Sequence, residues 1–412
     1  MHKSNLPTII SSSHNEVIQS CLIYSKFAFL GLRNGFIEIF EYKTNNKKGE
    51  ITNLFDKETK KTEKELSLNP HSNQIISIQL IKELSEKEKE ILLFIQSRGG
   101  IIFIIDYNIE KNINKLLVKY NTNIETFTEF FIYEKIYRAE WGKGKENSYK
   151  IIYPLEKNNE IEILFYDYIH EDSDSTSCNS LQKINQNFDY IIDEDGQKIL
   201  DVYKDMESKI MQIIQLSKED NSDNFFAMIY EKTLLFILDE KMNYVAHYSL
   251  SFSLKLYEAI INIYSFKFDN NYYICIGLFS QNLVILKFDS YKKELNFYQI
   301  INNICPEVKY GISCFANGVV KTDDLFADDD LIDSKFLLFV GTYSKRVKIF
   351  ELTKEENEEN KDLNKKENIK FNDLGNLIVD NSGAINQIHF RDGNLFVVCD
   401  RKILYIFYII EK

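Results

Sequence analysis

Tryptophan is almost missing from this sequence: Trp141 is the only one among 412 residues. Proline and glycine are scarce as well, at four and 15, so most turns must be built from Asn, Asp, Ser and Lys. The six cysteines (Cys21, Cys178, Cys275, Cys305, Cys314, Cys399) form no CxxC pair, and several lie inside apolar runs where a thiol behaves as a small hydrophobe. That usage points away from a disulfide framework and toward a reducing compartment, cytoplasmic or nuclear. Long apolar stretches are also lacking. Runs such as Ile91–Ile95 and Ile101–Ile105 fall far short of the roughly 20 residues a membrane helix needs, and residues 1–13 hold no continuous apolar segment of a secretion signal. No membrane insertion is expected. Positive charge is in deficit, with 50 Lys and Arg against 62 Asp and Glu and a formal charge of −12, which argues against nucleic acid as a general partner.

What the chain does have is aromatic and β-branched bulk. Phe and Tyr number 30 and 25 beside abundant Ile, residues that suit a pleated, half-buried surface. Apolar residues make up 44%, enough for a large core.

A long-period repeat emerges when short apolar runs that close with an acid are aligned. These are Ile37-Glu38-Ile39-Phe40-Glu41, Phe103-Ile104-Ile105-Asp106, Leu164-Phe165-Tyr166-Asp167, Phe236-Ile237-Leu238-Asp239, Leu286-Lys287-Phe288-Asp289 and Lys348-Ile349-Phe350-Glu351. A seventh, Ile403-Leu404-Tyr405-Ile406-Phe407, lacks the acid. Several are preceded by a second strand and a tight polar turn: Phe27–Leu32 before Arg33-Asn34-Gly35, Ile91–Gln96 before Ser97-Arg98-Gly99-Gly100, Phe336–Gly341 before Tyr343-Ser344-Lys345-Arg346, and Leu395–Cys399 before Asp400-Arg401-Lys402. Further strands lie upstream at Ile75–Leu80, Ile210–Leu216, Ile260–Phe266 and Ile385–Phe390, and His14 and His71 stand just ahead of two units. The pattern predicts an all-β chain, a seven-bladed WD-repeat β-propeller occupying residues 1–412 as one domain. Thr8–Ser12 is expected to pair with the last blade and close the ring.

Polar stretches lengthen the repeats: Lys43–Glu65, Lys82–Glu90, Gly142–Ser148, Ile169–Asp195, Lys321–Lys335 and Lys354–Asn372. With the strands of each unit lettered d, a, b, c in chain order, all six read as insertions in a–b or c–d connections. Those two kinds of connection share one face of a propeller, so the opposite face is expected to be compact.

Specific segments resemble one WD-repeat family. Pro7-Thr8-Ile9-Ile10 before His14, Asn69-Pro70-His71 leading to Ser97-Arg98-Gly99-Gly100, Ile151-Ile152-Tyr153-Pro154 followed by Glu160-Ile161-Glu162-Ile163-Leu164, and the last blade from Phe336 to Phe407 are similar to the ASTRA-associated protein 1 family, also described as G-protein β-subunit-like. The Trp-Asp dipeptide is absent, and residues 169–298 match in strand pattern only. The resemblance implies a non-catalytic scaffold, monomeric within a larger complex. Its partners would be subunits of the TTT cochaperone complex or RuvB-like ATPases, in maturation of phosphatidylinositol-3-kinase-like kinases or in the ASTRA chromatin assembly.

No enzyme motif appears: there is no Walker A loop, no GxGxxG after a first strand and no GxSxG elbow. Gly311-Ile312-Ser313-Cys314-Phe315 lacks the second glycine and reads as a buried strand. The six histidines form no HxH or HxxxH pair, so no metal and no cofactor are expected; His14 and His71 read as structural. Asp323, Asp324, Asp328, Asp329, Asp330 and Asp333 lack the alternating ligands and central Gly of a calcium loop. The distinctive constellation is basic. Arg33, Arg98, Arg346 and Arg401 each sit in a b–c turn, in blades one, two, six and seven. Ring closure makes these blades neighbours, so the four are expected to form an arc on the compact face, where arginine forks suit carboxylates or phosphates. A phosphoinositide-binding propeller of membrane trafficking or autophagy is the alternative reading. Its FRRG signature has a weak counterpart in Phe390-Arg391-Asp392-Gly393, with an acid in place of the second arginine.

Overall fold

The structure, a computed structural model, describes residues 7–55, 72–85, 89–124, 129–137, 146–154, 160–168, 181–187, 210–216, 224–230, 233–268, 271–306, 311–321, 334–354, 369–379, 383–399 and 401–409. Among them lie seven four-stranded antiparallel sheets. Six are simple meanders of consecutive strands, and we letter each blade a to d from its first strand to its last. The seventh breaks the order. Its strands a, b and c are Ile385–Arg391, Asn394–Cys399 and Ile403–Tyr408, and its strand d is the N-terminal Thr8–Ser11. Thr8 pairs with Ile406 and Ser11 with Ile403, so the expected closure is present. Each a strand contacts the a strand of the next blade through all seven junctions, including blade seven to blade one. The chain forms a closed β-propeller.

Several b and c strands are buried on both faces and read as near-continuous apolar runs. Phe27–Leu32, Phe225–Tyr230 and Leu234–Leu238 are buried along their whole length. Packing between adjacent sheets forms the core, as where Phe29, Ile39 and Ile51 of blade one meet Ile75, Ile78, Leu93 and Phe103 of blade two.

All but one of the a strands open with a device the WD pattern does not predict. In six of the seven blades a β-bulge follows a leading Ile and precedes a polar or thiol residue: Ile18/Ser20, Ile75/Ser77, Ile210/Gln212, Ile260/Asn262, Ile312/Cys314 and Ile385/Gln387. The bulge turns that side chain toward the next blade's backbone. Ser20 Oγ donates to Ile75 O at 2.8 Å, Gln212 Oε1 accepts from Ile263 N at 3.1 Å and Asn262 Nδ2 donates to Ser313 O at 2.7 Å. Gln387 Oε1 accepts from Cys21 N at 2.8 Å and completes the circuit between blades seven and one. Glycines keep the same junctions close. A Cβ on Gly31 would lie 2.7 Å from Ile75 Cγ2, and one on Gly277 would lie 2.7 Å from Ile312 Cγ2.

Two expectations need correction. Several polar stretches read as insertions contain strands: Asn46–Ile51 is the d strand of blade one, Leu181–Asn187 that of blade three, and Ile369–Ile378 that of blade six. A d strand borders solvent along one edge, so it needs little apolar patterning; Asn46–Ile51 buries only Gly49 and Ile51. The second correction concerns the faces. With d strands ending at Ile51 and Asn187, the chain from each to the next a strand, at Ile75 and Ile210, is a d–a connection, so the insertions are not confined to a–b and c–d connections as a compact d–a/b–c face requires. The segment Asp323–Asp333 and His71 lie outside the described residues.

Candidate interaction face

The d–a/b–c face collects the side chains singled out by the sequence. In blade one the b–c turn is built by Asn34, whose Oδ1 accepts from Phe36 N at 3.0 Å, and by Gly35 at φ +89°, where a Cβ would strike the Phe55 ring. Arg33 N donates to Val17 O at 3.0 Å, tying the turn to the chain entering the a strand. Blade two repeats the contact through Arg98 N and Gln74 O at 2.8 Å. In blade six Thr342 Oγ1 donates to Arg346 O at 3.0 Å. In blade seven Arg401 O accepts from Ile18 N at 2.9 Å and so joins two blades.

The four arginines therefore stand at the b–c ends of four consecutive blades in the closed ring, Arg346 as the first residue of its c strand. They are not four equivalent exposed tips. Arg401 is exposed, whereas Arg33, Arg98 and Arg346 are half-buried.

A buried charge node anchors the closing segment on the same face. Glu38 is fully buried in strand c of blade one. It accepts from Ser13 N at 3.1 Å to both carboxylate oxygens, from Ser13 Oγ, and from Lys47 Nζ at 3.2 Å. Lys47 also bonds Glu50 at 2.6 Å, and His14 Nε2 lies 3.0 Å from Glu50 Oε2 with its ring edge-on to Phe36. The Lys47 and His14 hydrogen bonds hold the Glu50 carboxyl below its usual range. Burial works against the charged form of Lys47, yet its bonds to Glu50 and Glu38 raise it above the usual lysine value. Ligand atoms of His14, Glu38 and Glu50 lie within 4.8 Å of one another, a spacing that suits a metal. Here the Lys47 ammonium already bridges both carboxylates and offsets one of their two charges, which makes the cluster a hydrogen-bonded node between the closing segment and blade one. The charge inside the Ile37–Glu41 apolar run was its visible trace in the sequence.

At the mouth of the ring, Glu129 in the d–a connection before blade three bonds Gln387 Nε2 of blade seven. Its side chain is water-accessible yet enclosed by the surrounding blades, and the loss of solvation raises its carboxyl to about 7. His389, two residues along the blade-seven a strand, is pushed down to about 4 by burial, with a backbone bond at Cys21 opposing the shift.

None of this arms a nucleophile. Ser313 is buried with its Oγ 3.6 Å from Cys314 Sγ, and burial raises the Cys314 thiol to about 12. The five described cysteines are buried and form no disulfide. Arg391, the counterpart of the lipid-signature arginine, donates to Ile23 O at 3.2 Å and pairs with Asp392 at 3.6 Å, while the Phe390 ring stacks on Phe339 at 5.0 Å. Among the described residues no helix is long and apolar enough to cross a membrane.

Comparison with solved structures decides the fold family. The chain aligns over 98% of its length with all of the Cps50 (Swd1) β-propeller domain of Myceliophteria thermophila, at a TM-score of 0.57 and 8% identity. The fold is that of the WD40 propellers. Sqt1 of Saccharomyces cerevisiae matches over 97% of this chain and 98% of that one, with a TM-score of 0.53 and 9% identity. The WD40 repeats of RRP9 match over 97% and 96%, at 0.53 and 11%. Raptor of Chaetomium thermophilum aligns over 98% of this chain but only 28% of its own, at 0.54 and 10%. No family model matches the sequence, and no curated protein matches it.

Proposed function

We propose that this protein is a non-catalytic WD-repeat scaffold that docks protein partners on its d–a/b–c face, residues 1–412 acting as one propeller. The observation that carries the reading is the run of Arg33, Arg98, Arg346 and Arg401 along four consecutive blades of a protein with net charge −12. Arginine forks recognise carboxylates in bidentate fashion, and a cationic arc on an acidic body gives an acidic partner one place to approach. Engagement of Ser313 and Cys314 in buried packing supports a role without catalysis. The resemblance to the ASTRA-associated family supports a finer assignment, to the TTT cochaperone system or to chromatin remodelling beside RuvB-like ATPases, in the cytoplasm or nucleus. Phosphoinositide binding is disfavoured because Arg391 and Phe390 are held by internal contacts. Affinity purification of the tagged protein from its own cells tests the proposal. The reading expects TTT subunits or RuvB-like ATPases to copurify, and expects Arg401→Glu together with Arg346→Glu to release them. Retention of every partner by that variant removes the arginine arc from the interface.

A further inference from the structure

Four exposed apolar side chains are carried by four linked segments on one sector of the d–a/b–c face. They are Tyr257 at 78% exposure, Phe279 at 56%, Tyr343 at 41% and Ile378 at 48%. The segments that carry them are locked together. Ser280 N donates to Glu258 Oε2 at 3.2 Å and joins the Tyr257 connection to the Phe279 turn. Gly311 packs so closely on the Phe279 backbone that a Cβ there would lie 2.8 Å from Phe279 Cα, and Gly311 O accepts from Tyr343 N at 3.1 Å. Val379 N donates to Lys345 O at 2.9 Å, which brings the end of the blade-six d strand beside the Tyr343 turn.

Exposed aromatic side chains on rigid turns present a large area at low entropic cost, which is why Tyr and Arg dominate binding hot spots. A folded surface seldom leaves such a cluster open without a partner for it. Among the described residues, cations outnumber acids around it: Lys255 and Lys345 are exposed and Arg346 is half-buried, against the single carboxylate of Glu258, which accepts from Ser280 N. On a chain of net charge −12 this rim selects an acidic occupant. We infer that the sector over blades five and six binds an acidic peptide segment of a partner protein, one that inserts aromatic or aliphatic side chains among Tyr257, Phe279, Tyr343 and Ile378. This inference rests on the scaffold reading and gives it a site and a ligand chemistry.

The test uses the purified full-length protein and a displayed library of short random peptides, with counter-selection against the Phe279→Ala variant. Enriched peptides should be net negative and rich in aromatic or aliphatic residues. A synthesised representative should bind roughly tenfold more weakly to Phe279→Ala, to Tyr257→Ala and to Lys345→Glu, and its affinity should fall as salt is raised. Thermal melts of the variants should match the parent, because these side chains lie outside the core. Enrichment without acidic bias, equal binding to parent and variants, or no enrichment at all overturns the inference. Self-association that Phe279→Ala abolishes also overturns it, the occupant then being a second copy. The scaffold reading is separable: if copurifying partners leave the Arg401→Glu, Arg346→Glu protein but stay on Phe279→Ala, the scaffold stands and the aromatic sector falls.

Discussion

Removal of residues 1–13 is the most demanding test of how this propeller is held shut. The lost strand, Thr8–Ser11, is the outer edge of blade seven and its only covalent tie to blade one. Ile10 is fully buried among Ile18, Leu404 and Ile406, and removing it forfeits about 2–3 kcal/mol of apolar burial. The ladder to Ile403–Ile406 and the bond from Ser12 N to Lys402 O go as well, at roughly 1 kcal/mol net for each hydrogen bond. Glu38, fully buried, keeps Lys47 but loses its three contacts from Ser13, and leaving a buried carboxylate short of donors costs about 1–3 kcal/mol more. The sum is on the order of 6–8 kcal/mol, against a total stability of about 5–15 kcal/mol for a folded domain. Urea unfolding followed by circular dichroism should therefore show the truncated protein unfolded, or its midpoint lowered by about 2 M. Ile10→Ala and Ser13→Ala should each reproduce part of the loss, about 3 and about 1–3 kcal/mol. An unchanged midpoint in the truncated protein refutes the reasoning.

Other outcomes follow from the inter-blade contacts. His389 is held near 4 in the folded state against an ordinary 6.5. The unfolded chain therefore binds the extra proton first, and stability present above about pH 6.5 drains as pH falls toward 4, by up to about 3 kcal/mol; His389→Gln should flatten that slope in melts taken from pH 7 to 5. Glu129 has the opposite sign. Its carboxyl is raised to about 7 from 4.5, so its ionisation weakens the fold as pH rises through that window, and Glu129→Gln should raise Tm at pH 8 more than at pH 5. Gly277→Ala places a Cβ 2.7 Å from Ile312 Cγ2 and should cost about 1–3 kcal/mol by calorimetry, whereas Gly375→Val, with nothing within 4 Å but φ at +101°, should lose stability through backbone strain alone.

How much of the molecule was legible depends on where each residue sits in its blade. The b and c strands announce themselves because both faces are buried: runs such as Phe27–Leu32 and Leu234–Leu238 admit only apolar residues. Their b–c turns were equally visible, since a tight reversal demands polar or φ-positive residues at Asn34-Gly35 and Gly99-Gly100. Apart from the closing strand Thr8–Ser11, the d strands were not legible. Asn46–Ile51 and Leu181–Asn187 look like polar insertions because an edge strand is specified by the ladder it completes rather than by its own pattern. Misreading them assigned the chain after Ile51 and after Asn187 to the wrong kind of connection.

The sequence alone determined the all-β class, the sevenfold repeat, the closing N-terminal strand and the chain positions of the four arginines. Each of these rests on local periodicity and turn chemistry, which the chain carries residue by residue. Only the tertiary structure decided which polar side chains face a neighbouring blade, how Ser13, Glu38, Lys47 and Glu50 join in one hydrogen-bonded node, and that Tyr257, Phe279, Tyr343 and Ile378 share one sector of a face. Those groupings join residues tens to hundreds of positions apart, as Cys21 and Gln387 are joined across the closed ring. They are fixed by the ring's geometry and by the bulges that rotate each a strand, and no short stretch of sequence records either.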